Sequence, residues 1–212
     1  YANLQITGAA TKTLMASTSV NTLLTVGTGA TLNDGGFTLT LAGSGTPLSA
    51  ANSNNNVFTG TEIYSAAAAT NIASSTYANL QITGAATKTL MASTTVTNVV
   101  TIGSGATLNG GGVTLTLYGT GTPLVNNGTF TANAGIVTYT GTAATTIAPV
   151  TYATVNFNSA TTYTLGGNAT VSTAGTVASG ATLAISTYTL TATGATWTNS
   201  GTVTEGTGGK IT

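Results

Sequence analysis

Six side chains make up the whole ionic inventory of this 212-residue chain: Asp34, Glu62, Glu205, Lys12, Lys88 and Lys210. Acid/base catalysis draws on His, Asp, Glu or Lys held near one another, and a nucleophile needs such a base beside it. Here the candidates are scattered, there is no His, Cys or Arg, and hydroxyls are so abundant that a Ser or Thr near a Lys carries no information. Transition metals select His and Cys, and calcium loops need several acidic oxygens within a dozen residues. Neither set is present, so no cofactor and no enzymatic activity are expected. Lys12 and Lys88 do occupy one recurring position. A Lys near Glu62 would make a salt bridge or an isopeptide crosslink with loss of water, whereas the plainer expectation is a corner Lys whose stem lies along the surface and whose amine reaches solvent.

What remains is mostly small and uncharged. The chain holds 53 Thr, 32 Ala and 28 Gly, and only 3% of its residues are charged, against about 25% in ordinary globular proteins. Zero net charge with three separated lysines excludes the phosphate-neutralising clusters of nucleic-acid binders. No apolar run approaches the 18 or more residues of a membrane helix, so no membrane span is expected. Disordered chains are poor in apolar residues and rich in net charge. This chain is 41% hydrophobic and neutral, which favours a folded β protein.

The elements that would position these residues are written in a repeat. Residues 1–18, YANLQITGAATKTLMAST, recur unchanged at 77–94, and aligning 1–49 on 77–125 gives 37 identities at a period of 76. A diverged copy opens at Tyr152 with YATVNF. The chain therefore divides into repeat units 1–76, 77–151 and 152–212, the last incomplete. Because it begins on a repeat boundary, a segment of a longer array or a trimmed mature protein is expected.

Within the first unit, centres of apolar/Thr alternation fall at Leu4, Leu14, Leu24, Leu32, Leu39, Leu48, Val57, Ile63 and Ile72. Nine short strands taken three at a time give steps of about 25 residues, the spacing of a three-sided β-solenoid in which each strand lies on its counterpart one coil below. This predicts an all-β solenoid with three coils per unit and roughly eight and a half coils in all, a rod about 40 Å long at the 4.8 Å strand spacing. Tandem Ig-like β-sandwiches are the competing fold.

Side chains alternate along a strand, so in FTLTL the residues Phe37, Leu39 and Leu41 are expected inside and Thr38 and Thr40 outside. The corresponding outward pairs are Thr114 with Thr116 and Thr189 with Thr191. These six are the candidate surface threonine ladder, with hydroxyls bonding from rung to rung, and outward Thr could order water as in ice-binding solenoids or meet sugar hydroxyls. The tyrosines opening each unit, Tyr1, Tyr77 and Tyr152, are expected at corners with one end wet. The cluster Asn52 to Asn56 reads as an exposed loop or the start of an Asn ladder.

The motifs YANLQITGAATKTL, GATLN, GTPL and NNGTFTA resemble the Gly/Thr/Asn-rich repeats of bacterial secreted and cell-surface proteins, the adhesin-like β-helix repeats. That resemblance implies secretion, extracellular or cell-surface display, and a fibre, filament, stalk or adhesive role. The partners expected are the protein itself and cell-surface glycans.

Overall fold

The computed structural model describes residues 1–51 and 56–212. Asn52 to Asn55, most of the asparagine cluster, lie outside the described residues. Asn56 is buried, and its Oδ1 accepts the Leu32 N–H at 3.1 Å, a local cap on the neighbouring turn.

The described residues form short β-strands and no helix. Every strand pairing is parallel, which rules out Ig-like sandwiches, whose sheets are antiparallel. The fold is a β-solenoid. Partners along the stack lie 18 to 25 residues apart, as in Tyr139↔Phe157 and Gly45↔Thr70.

The coil differs in length from the sequence expectation. The second unit contains eleven extended segments, not nine: Thr76–Tyr77, Asn79–Ile82, Thr87–Leu90, Thr94–Val96, Val99–Ile102, Thr107–Asn109, Thr114–Leu117, Leu124–Asn126, Thr129–Thr131, Ile136–Tyr139 and Thr145–Ile147. Most pair with the third segment on, as Asn79–Ile82 with Val99–Ile102 and that with Leu124–Asn126, while Thr145–Ile147 is joined to the turn below by a bridge from Thr145 to Gly121. Three segments per turn confirm a three-sided coil. Each turn, however, takes about 21 residues rather than 25, and the chain completes about ten turns, a rod of roughly 48 Å at the usual strand spacing. The first-unit register shows the same correction: Leu4 faces Leu24 rather than Leu32, and Lys12 faces Leu32.

The two overlooked segments are those with a single inward side chain. Thr18–Val20 turns in only Val20, and Thr76–Tyr77 only Tyr77, so neither shows an apolar/polar alternation. In the second unit both are fused to their neighbours: the strands Thr76–Ile82 and Thr94–Ile102 each run along two sides, bending where the register slips between Tyr77 and Asn79. An irregularity of this kind bends a strand without ending it.

The core is a single column of inward Leu, Val and Ile, with Leu24, Leu32, Leu39, Leu41, Leu80 and Leu108 fully buried. Phe37, expected inside with Leu39 and Leu41, is 39% exposed. The strand begins only at Thr38, and Phe37 still belongs to the preceding turn, its N–H bonded to the Asp34 carbonyl at 3.1 Å.

The tyrosines also depart from expectation. Tyr64, Tyr77, Tyr139, Tyr152 and Tyr163 are wholly inside rather than at wet corners. Their hydroxyls are satisfied there: Tyr64 and Tyr77 share a bond at 3.0 Å, Tyr139 and Tyr152 one at 2.8 Å, and Tyr77 and Tyr152 donate to Ala73 and Ala148 carbonyls. One such pair straddles each unit boundary, so the first residue of a unit is latched to the end of the unit before it.

Candidate functional site

All six threonines of the candidate ladder lie on strands, alternate with buried residues and are half-buried on the outer surface. None of them is paired with another. Thr38 faces Thr61 and Thr40 faces Ile63; Thr114 faces Ile136, while Thr116 lies between Thr95 and Thr138; Thr191 faces Thr170. The cause is the segment count. Eleven segments at three per turn carry each unit two sides beyond a whole number of turns, so the Thr38, Thr114 and Thr189 strands sit on three different sides of the rod. A one-sided row does exist, made of other residues: Thr76, Thr95, Thr116, Thr138, Asn156, Thr176 and Thr198 are successive partners, with Thr138 in its middle buried.

Hydroxyl bonding from rung to rung is rare. Thr212 donates to Thr191 at 3.4 Å, but Thr18, Thr70, Thr94 and Thr145 instead bond the carbonyl two residues back, on Ala16, Ala68, Ala92 and Ala143. Ser and Thr commonly satisfy local backbone in this way. Here the bonds pin the corners rather than tie the rungs.

Three of the six charged side chains, Asp34, Glu62 and Lys88, lie inside the coil rather than at solvent-facing corners. Lys88 has no exposed surface; its Nζ donates to the carbonyls of Ala66, Gly84 and Ala86 at 2.7, 2.8 and 3.2 Å. It neither reaches solvent nor meets Glu62. Burial lowers its pKa. Lys12, within an identical stretch of sequence, is only half-buried and reaches the equivalent Gly8 and Ala10 carbonyls. The Ala66 carbonyl comes from the turn beneath and makes the difference.

Asp34 and Glu62 form a second polar core, both without exposed surface. The Asp34 carboxylate accepts N–H groups of Gly36, Thr59 and Gly60 and the Thr59 hydroxyl at 2.6 to 3.0 Å. Burial pushes its pKa up, but these donors and Glu62 outweigh that, and the net shift is down. Glu62 stands in the inward row between Leu39 and Leu80. Burial first, then the bond to Asp34 and its negative charge, push Glu62 up to about 9. Neither Glu62 oxygen has a donor, which fits a neutral acid giving its proton to Asp34. The second unit has Gly110 in place of Asp34 and, facing Leu115, Val137 in place of Glu62.

No protein-family model, curated protein or solved structure matches this chain. Among the described residues no helix is long and apolar enough to cross a membrane.

Proposed function

We propose that the chain is a structural extracellular protein: a β-solenoid building block of a cell-surface fibre, filament or stalk that self-associates through strand edges and neutral Thr-rich faces. The observation that carries this reading is the boundary between units. Phe58 faces Tyr77 and Glu62 faces Leu80 in the same parallel register found inside a unit, and the Tyr64–Tyr77 bond crosses the boundary. Units joined in this way add length without a hinge, and a stack of nearest-neighbour contacts makes a rod. The neutral surface supports association, since there is little like-charge repulsion to keep copies apart. A template for the contact is already in the chain: residues 77–94 are packed against 58–72, and residues 1–18 have the same sequence.

Electron microscopy and light scattering over rising concentration test this reading. Rods longer than one chain are expected. A monodisperse monomer at millimolar concentration would sink it.

A second reading, a binding module for glycan or ice surfaces, is favoured by the one-sided row from Thr76 to Thr198. Thermal hysteresis and glycan-array binding would support it, and a null in both would remove it.

A further inference from the structure

We propose that the corner cleft beside Tyr118 is a binding site for a neutral sugar, one site per chain, separate from the threonine row. The chain leaves the strand Thr114–Leu117, runs out through Tyr118, Gly119, Thr120, Gly121, Thr122 and Pro123, and re-enters the coil at Leu124. That excursion leaves a cleft of about 360 Å³ against Thr97, Asn98 and Val99 of the turn below. Its size falls at the small end of ligand pockets, which suits one or two sugar rings.

The loop is held in place. The Tyr118 N–H bonds the Val96 carbonyl at 2.9 Å and the Gly121 N–H bonds Ala144 at 3.0 Å. Gly119 is buried so close to the strand beneath that a Cβ there would stand 1.7 Å from the Asn98 carbonyl oxygen. The rim is therefore set before any ligand arrives, which lowers the ordering cost of binding.

Its chemistry is uncharged and complementary to a polyol. Tyr118 is 51% exposed, while five other tyrosines are sunk in the core. Its ring offers an apolar plane for the C–H face of a pyranose, with a hydroxyl at the wet end. Around it, the Asn98 amide and the Thr120 and Thr122 hydroxyls have no side-chain partner among the described residues, and together they supply donors and acceptors to sugar hydroxyls. No lining residue is charged, so the site offers nothing to select phosphate, sulfate or a carboxylate.

The other units lack the combination. The positions of Asn98 and Tyr118 are Thr22 and Ala42 in the first unit, and Thr173 and Thr193 in the third. Hence the stoichiometry of one.

The test is a titration of the full chain, ¹⁵N-labelled, with a panel of neutral methyl glycosides and disaccharides of the glucose, galactose, mannose and N-acetylglucosamine series. At least one should shift amide signals at 97–99 and 118–122, saturating with weak affinity. Tyr118→Ala should weaken it about tenfold or more, the loss of one stacked ring, with Tyr118→Phe retaining most of the binding. Tyr118 is on the surface, so an unchanged melting temperature separates lost binding from lost fold. No response to any sugar in the panel, shifts centred elsewhere, or equal binding by Tyr118→Ala would overturn the proposal. The rod reading is judged by microscopy alone, so either can fail without the other.

Discussion

Asp34 and Glu62 pull the pH dependence of stability in opposite directions. Glu62 has its folded pKa raised from about 4.5 to about 9, so the folded state holds a proton that the unfolded chain releases. Its contribution is fully present below about pH 4.5 and is lost as pH rises towards 9. Asp34 is lowered, so its contribution is present above its unfolded value of 3.8 and is lost in stronger acid. The melting temperature should therefore peak near pH 4 to 5 and decline through neutrality. Glu62→Gln keeps the shape of the neutral acid and an N–H donor towards Asp34, without a proton to lose. It should raise the melting temperature at pH 8, leave it nearly unchanged at pH 4.5, and flatten the profile between; calorimetry over that range checks it. Lys88 makes the complementary case. Lys88→Met would leave the buried Ala66 carbonyl without its donor, while the Gly84 and Ala86 carbonyls keep the N–H groups of Ala86 and Thr107; it should cost about 1–3 kcal/mol in urea unfolding, while Lys12→Met at the half-exposed copy should cost under about 1 kcal/mol.

At the scale of strands and turns, the corners are more sharply specified than the faces. Gly105 and Gly111 both have positive φ, 75° and 62°, but a Cβ at Gly105 meets open space whereas one at Gly111 would lie 2.0 Å from the Leu90 carbonyl oxygen. Gly105→Ala should thus cost only the left-handed strain, about 1–2 kcal/mol. Gly111→Ala should cost that plus displacement of the turn beneath, at least about 1–3 kcal/mol more; paired denaturation curves measure the difference. This contrast also explains what the sequence could reveal. Alternation in TLTL and NLQI exposed the inner and outer faces, and identity at a period of 76 exposed the stacking. Segments such as Thr18–Val20 and Thr76–Tyr77, with one inward residue each, leave no periodic trace, so the visible spacing predicts a turn four residues too long. Lys88 was beyond reach for a different reason: its local sequence is that of Lys12, and only the Ala66 carbonyl of the preceding turn separates a buried ammonium from a half-exposed one. The Tyr118 cleft likewise depends on residues 97–99 and 118–122 being brought together by a register that local sequence does not display.

For the whole rod, eleven segments per unit against three per turn amount to a screw. Each unit climbs three and two-thirds turns, about 18 Å at 4.8 Å per strand, and presents equivalent residues two sides further round. Three units bring the pattern back to its starting side. Nine segments per unit would have stacked like on like along a single face and made a ribbon-like surface suited to lateral sheets. Eleven distribute each motif around the axis, so any contact made by one unit is offered in three directions. The register is directly testable with cysteine pairs, because the chain has no native Cys to interfere. Thr116 and Thr138 are opposed on adjacent turns, within the Cα separation a disulfide can span. Thr116→Cys with Thr138→Cys should therefore crosslink within the monomer under mild oxidation. Thr40→Cys with Thr116→Cys, equivalent positions 76 residues apart, should stay reduced in the monomer, since the screw puts them on different sides and about 18 Å apart along the axis. Mass spectrometry after alkylation distinguishes the two variants, and a crosslinked monomer of the second with a reduced monomer of the first would refute the screw.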